Sequence, residues 1–466
     1  MKFTKFGKAL LMSALSAALL LCVTSCVESY TVGYLYVTGT DTAQTSGNGI
    51  ISGFSIDHNT GKLTPLRKLP VSSGGANPVR AVLVSSSRFL YVLNRGVTAS
   101  GESDCTTADP CQNSNITLFA VGGDGILTQQ EQFFTQGINP FRILADSSQN
   151  YIFVLDHDSP DNNNPSSTDG CALALGGVQT CGDITAFSIN QSTGRLSLIE
   201  NAQVTAAGGA PLTYFPVPVN PVDFIQSTGF FLTLSATPAT TQSYPYTGGS
   251  IVFPYTFGGT GQLTINQNSS QPITDSSLPS GPGVPSGTAF SIGGSYLYVL
   301  DNEPIYLNGS TTATSQSQIL PFTVGTNGAL QSQTGGAVPD DPAQSNPIFL
   351  VMETRGKWIY VANLGNPSTP TLPLSGITGY TIDPTTHQLT EMPNLPFTTG
   401  AGPQCLVEDP SNQFFYTANF IDSTVSGNSL DQNDGALVPL AQNHNVPSNY
   451  TLAGPATWCL MDGRTN

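Results

Sequence analysis

The sequence predicts an all-β fold, a seven-bladed β-propeller closed by pairing of the C-terminal strand into the N-terminal blade. Three observations carry that reading. First, a Gly-x-Leu unit ends a short turn after an apolar segment at Gly61-Lys62-Leu63, Gly125-Ile126-Leu127, Gly194-Arg195-Leu196, Gly261-Gln262-Leu263, Gly328-Ala329-Leu330 and Gly435-Ala436-Leu437, and a further copy, His387-Gln388-Leu389, replaces only the glycine. Second, an aromatic-rich run keeps step with it: YLYVTG from Tyr34, RFLYVLN from Arg88, YIFVLD from Tyr151, FFLTLS from Phe230, YLYVLD from Tyr296, WIYVAN from Trp358 and FFYTAN from Phe414. Tyr36 to Tyr416 is six intervals over 380 residues, about 63 residues per unit, the length of a four-stranded blade with one long loop. Third, the ends match. The chain enters on a second-strand sequence, Tyr34 to Thr38, and leaves on Gly454-Pro455 and Trp458 to Asp462, which resembles the first-strand sequence of the seventh unit, Gly402-Pro403 and Cys405 to Asp409. A last strand that completes blade one removes two exposed sheet edges. The competing reading, a row of separate β-sandwich domains, leaves this matching of the ends unexplained.

The second unit shows the elements in order. Asn77-Pro78 opens it, Val79 to Ser85 reads as a first strand, Arg88 to Asn94 as a second, Asn115 to Val121 as a third, and a Gly-Gly-Asp-Gly turn leads to a fourth from Ile126. Alternation, β-branched and aromatic enrichment and Gly/Asn/Asp turns argue strand rather than helix. The glycine of each Gly-x-Leu turn is expected at positive φ. His387 fits as the exception, because His enters that region more readily than most residues.

Residues 1–25 read as a lipoprotein-type signal peptide, residues 26–33 as a short tether and residues 34–466 as the propeller. Lys2, Lys5 and Lys8 make a basic start, and Ala9 to Val23 is an apolar run too short and too rich in small residues for a membrane span. A small-residue pair before Cys26 resembles the bacterial lipobox, which makes Cys26 the lipidated first residue of the mature chain. An ordinary cleaved signal, or cleavage before Cys22, is the alternative. The lipid would hold a propeller at a membrane surface without spanning it, in the bacterial cell envelope. Six further cysteines agree with an oxidising compartment. Cys105 and Cys111 share one polar loop, and Cys171 and Cys181 another, so local disulfides are expected. Cys405 and Cys459 fall at matching places on the first strands of blades seven and one, and either a closure disulfide or two buried thiols is open. The absence of a Cys-x-x-Cys pair argues against zinc.

Without the three signal lysines, 11 basic residues face 30 acidic ones. Such a surface argues against nucleic-acid binding and against anionic lipid beyond the anchor. A monomer with neither cofactor nor metal is expected.

The pattern Asn-Pro plus an apolar strand, then F-L-Y-V-x-N, then I-x-x-F-x-I-(D/N)-x-x-T-G-x-L resembles the lactonase family of seven-bladed propellers, whose prototype is the propeller-type 6-phosphogluconolactonase. It is clearest at Ile51 to Leu63, Ile184 to Leu196 and Ile377 to Leu389. The resemblance implies a hydrolase site at the starts of the first strands, built on Pro-His motifs and on a Glu after a second strand. Here Asn77-Pro78-Val79-Arg80, Asn139-Pro140-Phe141-Arg142, Asn220-Pro221-Val222-Asp223 and Gly402-Pro403-Gln404-Cys405 carry no His, and Glu303 lies one residue late.

Read from the residues, Arg80, Arg142 and Asp223 hold equivalent positions in consecutive blades and should ring one side of the channel mouth. Two guanidiniums there could clamp a carboxylate or phosphate, with Asp223 as a base; the alternative is an inter-blade ion pair. His157, flanked by Asp156 and Asp158, is an acid/base candidate, as is Glu303. The run Asp161-Asn162-Asn163-Asn164 lacks the carboxylate spacing of a calcium loop. Two functions stay open: hydrolysis of a sugar or related lactone at the channel mouth, and non-catalytic binding of a carbohydrate-like ligand or a protein.

Overall fold

The computed structural model describes residues 30–41, 48–84, 88–102, 105–206, 208–227, 229–235, 251–265, 271–272, 287–293, 295–301, 317–325, 328–333, 335–341, 344, 346–365 and 375–463. Seven antiparallel sheets stand around one axis. Their innermost strands are Ala456–Asp462, Pro78–Val84, Ile138–Ala145, Pro221–Ser227, Gly287–Gly293, Pro347–Met352 and Pro403–Glu408, each packed beside the next around the ring. The chain closes as expected: Ala456–Asp462 pairs with Thr31–Thr40, Tyr36 opposite Leu460, and supplies the first strand of blade 1. That second strand begins at Thr31, so residues 31–33 belong to the sheet rather than to a tether.

The second strands carry a continuous, mainly apolar run because both of their faces are covered. Phe89–Asn94, Trp358–Asn363 and Phe414–Asn419 are buried at every residue, which is why the sequence shows a continuous run there instead of alternation. Each packs against the adjoining blades. In blades 1, 3, 4, 5 and 7 a short fifth strand, for example Phe215–Val217 or Asn449–Thr451, pairs with the half of the third strand that the short fourth strand leaves bare. These segments are too short to show a period in the residue pattern.

The Gly-x-Leu repeat is a clasp between blades. The second-strand tyrosine of one blade donates its hydroxyl to the turn carbonyl of the next: Tyr36 to Gly125 (2.7 Å), Tyr360 to Gly435 (2.7 Å) and, across the closure, Tyr416 to Gly61 (2.7 Å). Tyr91 reaches Gly194 and Tyr298 reaches His387 in the same way. Every copy has positive φ, from 67° at Gly61 to 82° at Gly435, with His387 at 58°. A Cβ at Gly194 would sit 2.7 Å from the Phe89 ring, and one at Gly435 2.7 Å from Trp358. His387 escapes this by stacking flat on Tyr296, with ring centroids 3.5 Å apart. Gly194→Ala is therefore expected to cost roughly 2–3 kcal/mol, from left-handed strain plus overpacking. Urea unfolding checks it, and an unchanged midpoint would refute the clasp.

Disulfides join Cys105 to Cys111, Cys171 to Cys181 and Cys405 to Cys459. The last links the first strands of blades 7 and 1, with Cα atoms 5.9 Å apart. The two half-cystines are not at matching levels, however. Cys405 faces Ala418 and Trp458 faces Thr38, so Trp458 is the level partner of Cys405, and Cys459 lies one residue further along. Both strands carry the same one-residue bulge, so the offset comes from the positions of the cysteines themselves.

Candidate functional site

Every first strand carries a bulge at the same place. The register skips Val79, Phe141, Val222, Thr288, Ile348, Gln404 and Thr457, each near the start of its strand. A bulge kinks the strand and re-aims the side chains beside it, so seven of them turn the strand starts toward one mouth of the channel. The residue before the opening proline supports the kink from the left-handed region. Asn77, Asn139, Asn220 and Asn346 have φ of 52°, 58°, 52° and 57°, a conformation Asn tolerates better than most side chains.

Just past the bulges stand Arg80, Arg142 and Asp223, opposite Leu93, Leu155 and Leu234, at one level of three consecutive blades. The sequence expectation of equivalence holds. Asp223 Oδ1 lies 3.6 Å from Arg80 Nη1 and 3.5 Å from Arg142 Nε, and it accepts the Phe224 N–H at 2.9 Å. Arg142 also donates Nη1–H to the Phe141 carbonyl (3.1 Å). The Arg80 guanidinium stacks 4.2 Å above the Trp458 ring. Asp223 is 7% exposed, against 15% for Arg80 and 23% for Arg142, so the carboxylate is sealed behind the two cations. Burial and the neighbouring Arg142 charge pull Arg80 down to about 9, against the opposing pull of Asp223. It remains cationic at neutral pH, and the trio carries one net positive charge.

These cations open on a cavity of about 320 Å³. Trp458, Phe349, Phe420, Ile348 and Leu364 form its apolar wall, and Gln404 and Thr457 add polar groups. An aromatic wall beside paired guanidiniums suits a ring with an apolar side and an oxygen that is, or becomes, anionic. The sequence alone does not reveal the apolar half, because Phe349 and Trp458 gain their meaning only from the register that levels them with Arg80.

His157 does not join this site. It lines a second cavity of about 320 Å³, with Nδ1 3.3 Å from Asp158 Oδ2. It lies at the end of the second strand of blade 3, beside the loops that carry the Cys105–Cys111 and Cys171–Cys181 disulfides. Glu303 and Cys26 lie outside the described residues. In the Asp161 to Asn164 run, Asp161 accepts the Cys171 N–H at 3.0 Å and the Tyr214 hydroxyl, and nearby Asp169 caps a short helix at Ala172. The third donor of that cluster, Cys171, is committed to a disulfide.

Behind His157 lies a buried carboxyl pair with no signature in the sequence. Asp156 takes the place held by Asn94, Asn363 and Asn419 at the ends of other second strands, and it faces Asp183 directly across the sheet. Both are fully buried. Burial pushes both carboxyls well above their ordinary range, with mutual repulsion adding to Asp183, while the Thr185 hydroxyl serves both. A carboxyl whose folded pKa is raised holds its proton longer when folded. Stability is therefore highest below the unfolded value and falls as pH rises through the window between the two, by about 1.4 kcal/mol per pH unit per group. Asp183→Asn is expected to flatten this fall and raise the thermal midpoint at about pH 8 relative to wild type, with little change near about pH 4. Equal pH profiles for the two proteins would contradict it.

The sequence matches the family described as "Lactonase, 7-bladed beta-propeller" over residues 46–162 and 330–458, more than half of the chain. Among solved structures, a candidate 6-phosphogluconolactonase from Bacteroides fragilis superposes with a TM-score of 0.59 at 15% identity, covering 92% of this chain and 98% of that one. The periplasmic gluconolactonase of Pseudomonas aeruginosa, PpgL, gives 0.59 at 16% identity, covering 92% and 99%. At such identities these likenesses speak to the fold. No curated protein sequence matches the chain. From the family match, the sevenfold repeat and the closed ring together, the chain belongs to the lactonase family of seven-bladed β-propellers.

Proposed function

We propose that this protein is an extracytoplasmic lactonase of the bacterial cell envelope, anchored by lipid at Cys26, that opens a carbohydrate-derived lactone at the channel mouth. The observation that carries this reading is the convergence of Arg80 and Arg142 on one sealed carboxylate beside an aromatic-walled cavity. A lactone ring lies with its C–H face on Trp458, Phe349 and Phe420. Water adds to the lactone carbonyl, and the developing oxyanion meets the two guanidiniums. Asp223, sealed behind the guanidiniums and outside the cavity lining, fixes their position, and the proton of that water passes to solvent. The ring C–O bond then breaks, the departing oxygen takes a proton from solvent water, and the carboxylate of the resulting hydroxy acid is held by the same cations. No cofactor enters this scheme.

The compartment rests on three disulfides, which persist in oxidising surroundings, on the N-terminal lipobox pattern, and on the periplasmic gluconolactonase as a structural relative. A monomer that binds no nucleic acid fits the acidic surface. The second reading, a non-catalytic binder of a carbohydrate-like ligand or of a protein, draws on one observation: among the described residues no histidine lines the channel-mouth cavity. A pH-stat assay of the mature protein on a panel of aldono- and uronolactones separates them. Proton release above the spontaneous rate on at least one lactone is expected. Spontaneous rates throughout would leave the binding reading.

A further inference from the structure

We infer that the second cavity, between blades 3 and 4, is a separate binding site for one neutral sugar ring. Phe141 stands between His157 of this cavity and Arg142 of the channel mouth: its ring meets His157 edge-on at 6.1 Å and lies 5.1 Å from the Arg142 guanidinium. The site is built from stapled loops. The Cys105–Cys111 loop supplies Thr107, and the Cys171–Cys181 loop supplies Thr180 and Val178. Its volume, about 320 Å³, is at the small end of ligand pockets, which run from ~300 to 1,000 Å³, and so fits a single ring.

The chemistry of the wall selects a neutral ligand. Asp158 is the acidic group of the lining, and both of its oxygens are occupied. Oδ1 accepts from Thr107 (2.9 Å) and Asn162 (3.2 Å), and Oδ2 accepts from Asn139 (3.0 Å) and faces His157 (3.3 Å). Partial burial works against its charge, yet those hydrogen bonds hold its carboxyl below the ordinary range, so it stays ionised and satisfied. Four partners leave it no capacity for a cation. Among the described residues the lining contains neither Lys nor Arg to offer an anion a counter-charge.

Three side chains remain to meet a ligand. The Asn220 amide and the Thr180 hydroxyl make no hydrogen bond among the described residues, and the His157 side chain is 36% exposed. Amide, hydroxyl and imidazole groups all form the hydrogen bonds that sugar hydroxyls make. Val178 and Val219 provide an apolar strip for the C–H face of a ring.

Titration calorimetry of the folded, disulfide-intact protein with neutral monosaccharides (glucose, galactose, mannose and N-acetylglucosamine) tests the site. At least one is expected to bind with Kd of about 1 mM or tighter, and His157→Ala/Thr180→Val is expected to weaken it at least about 10-fold. Unchanged near-ultraviolet circular dichroism and thermal midpoint would show that the variant is folded. Thr180→Val alone is isosteric and should weaken binding in the same direction if the double variant proves unstable. Binding of none of the sugars, equal binding by both variants, or tighter binding of the corresponding sugar acids would overturn the proposal. None of these outcomes bears on lactone opening, which is read in a different cavity by a different assay.

Discussion

Arg80→Ala/Arg142→Ala is expected to lower kcat/KM for lactone opening by about 10³-fold or more, with most of the loss in kcat. A single preorganised donor facing a developing oxyanion is worth about 10²–10³ in rate, and here two cations face the same oxygen from adjacent blades. The loss belongs in kcat because the ground-state lactone carbonyl is neutral and gains little from a cation until water has added. A fold control is needed, because the variant leaves Asp223 buried without its partners, at a stability cost of roughly 3 kcal/mol. Arg80→Lys supplies it. Lysine keeps the charge beside Asp223 but loses the planar fork and the stacking on Trp458, so about a 10-fold loss with near-normal stability is expected. Steady-state kinetics on the best lactone, corrected for the folded fraction, decides. A double variant that retains the wild-type kcat would remove the guanidiniums from the reaction.

Cys405→Ala/Cys459→Ala is expected to lower the unfolding free energy by about 3–4 kcal/mol, more than loss of a single turn glycine from the inter-blade clasp. The bond closes a loop with a sequence separation of 54, and the entropy of closing a loop of that length in the unfolded chain accounts for about 4 kcal/mol. The location adds to this. The C-terminal strand is held to blade 1 by its ladder with Thr31–Thr40, but to blade 7 by packing and by this disulfide. The Tyr416 to Gly61 hydrogen bond crosses the same seam one strand further out. Guanidinium unfolding of both proteins under non-reducing conditions measures the difference, and peptide mapping without reduction should recover Cys405 linked to Cys459. A midpoint unchanged by the substitution, or both cysteines alkylatable after unfolding, would contradict a stapled closure.

The blade count was legible because each turn glycine answers two constraints at once, positive φ and the aromatic ring of the preceding blade. Such a position repeats faithfully or, as at His387, is replaced by a residue that solves both by stacking. Closure was legible because the last strand must satisfy the same pairing as the other first strands. The Arg80, Arg142 and Asp223 level was legible because the Asn-Pro start fixes the count to the bulge. The offset of Cys405 from Cys459 lies in the spacing and not in the bulges, which both strands share: Asp409 comes four residues after Cys405, Asp462 three after Cys459. The separation of His157 from the channel mouth was not legible, because a count along blade 3 does not tell which of two neighbouring cavities a side chain lines. The Asp156 and Asp183 pair stayed hidden because each, read alone, looks like an ordinary strand-end residue; only the cross-strand register brings the two carboxyls face to face.

If the two guanidiniums of the channel mouth stabilise the oxyanion, they must also hold the carboxyl oxygens of the ring-opened product. The most direct measurement is a crystal structure of the mature protein with D-gluconate, the hydroxy acid of a simple aldonolactone, at saturating concentration. The carboxylate is expected between Arg80 and Arg142, within about 3 Å of both, with the carbon chain against Trp458 and Phe349. A gluconate bound elsewhere on the propeller, or an empty channel mouth with the Arg80, Asp223 and Arg142 contacts intact, would contradict a lactonase site built on these two residues.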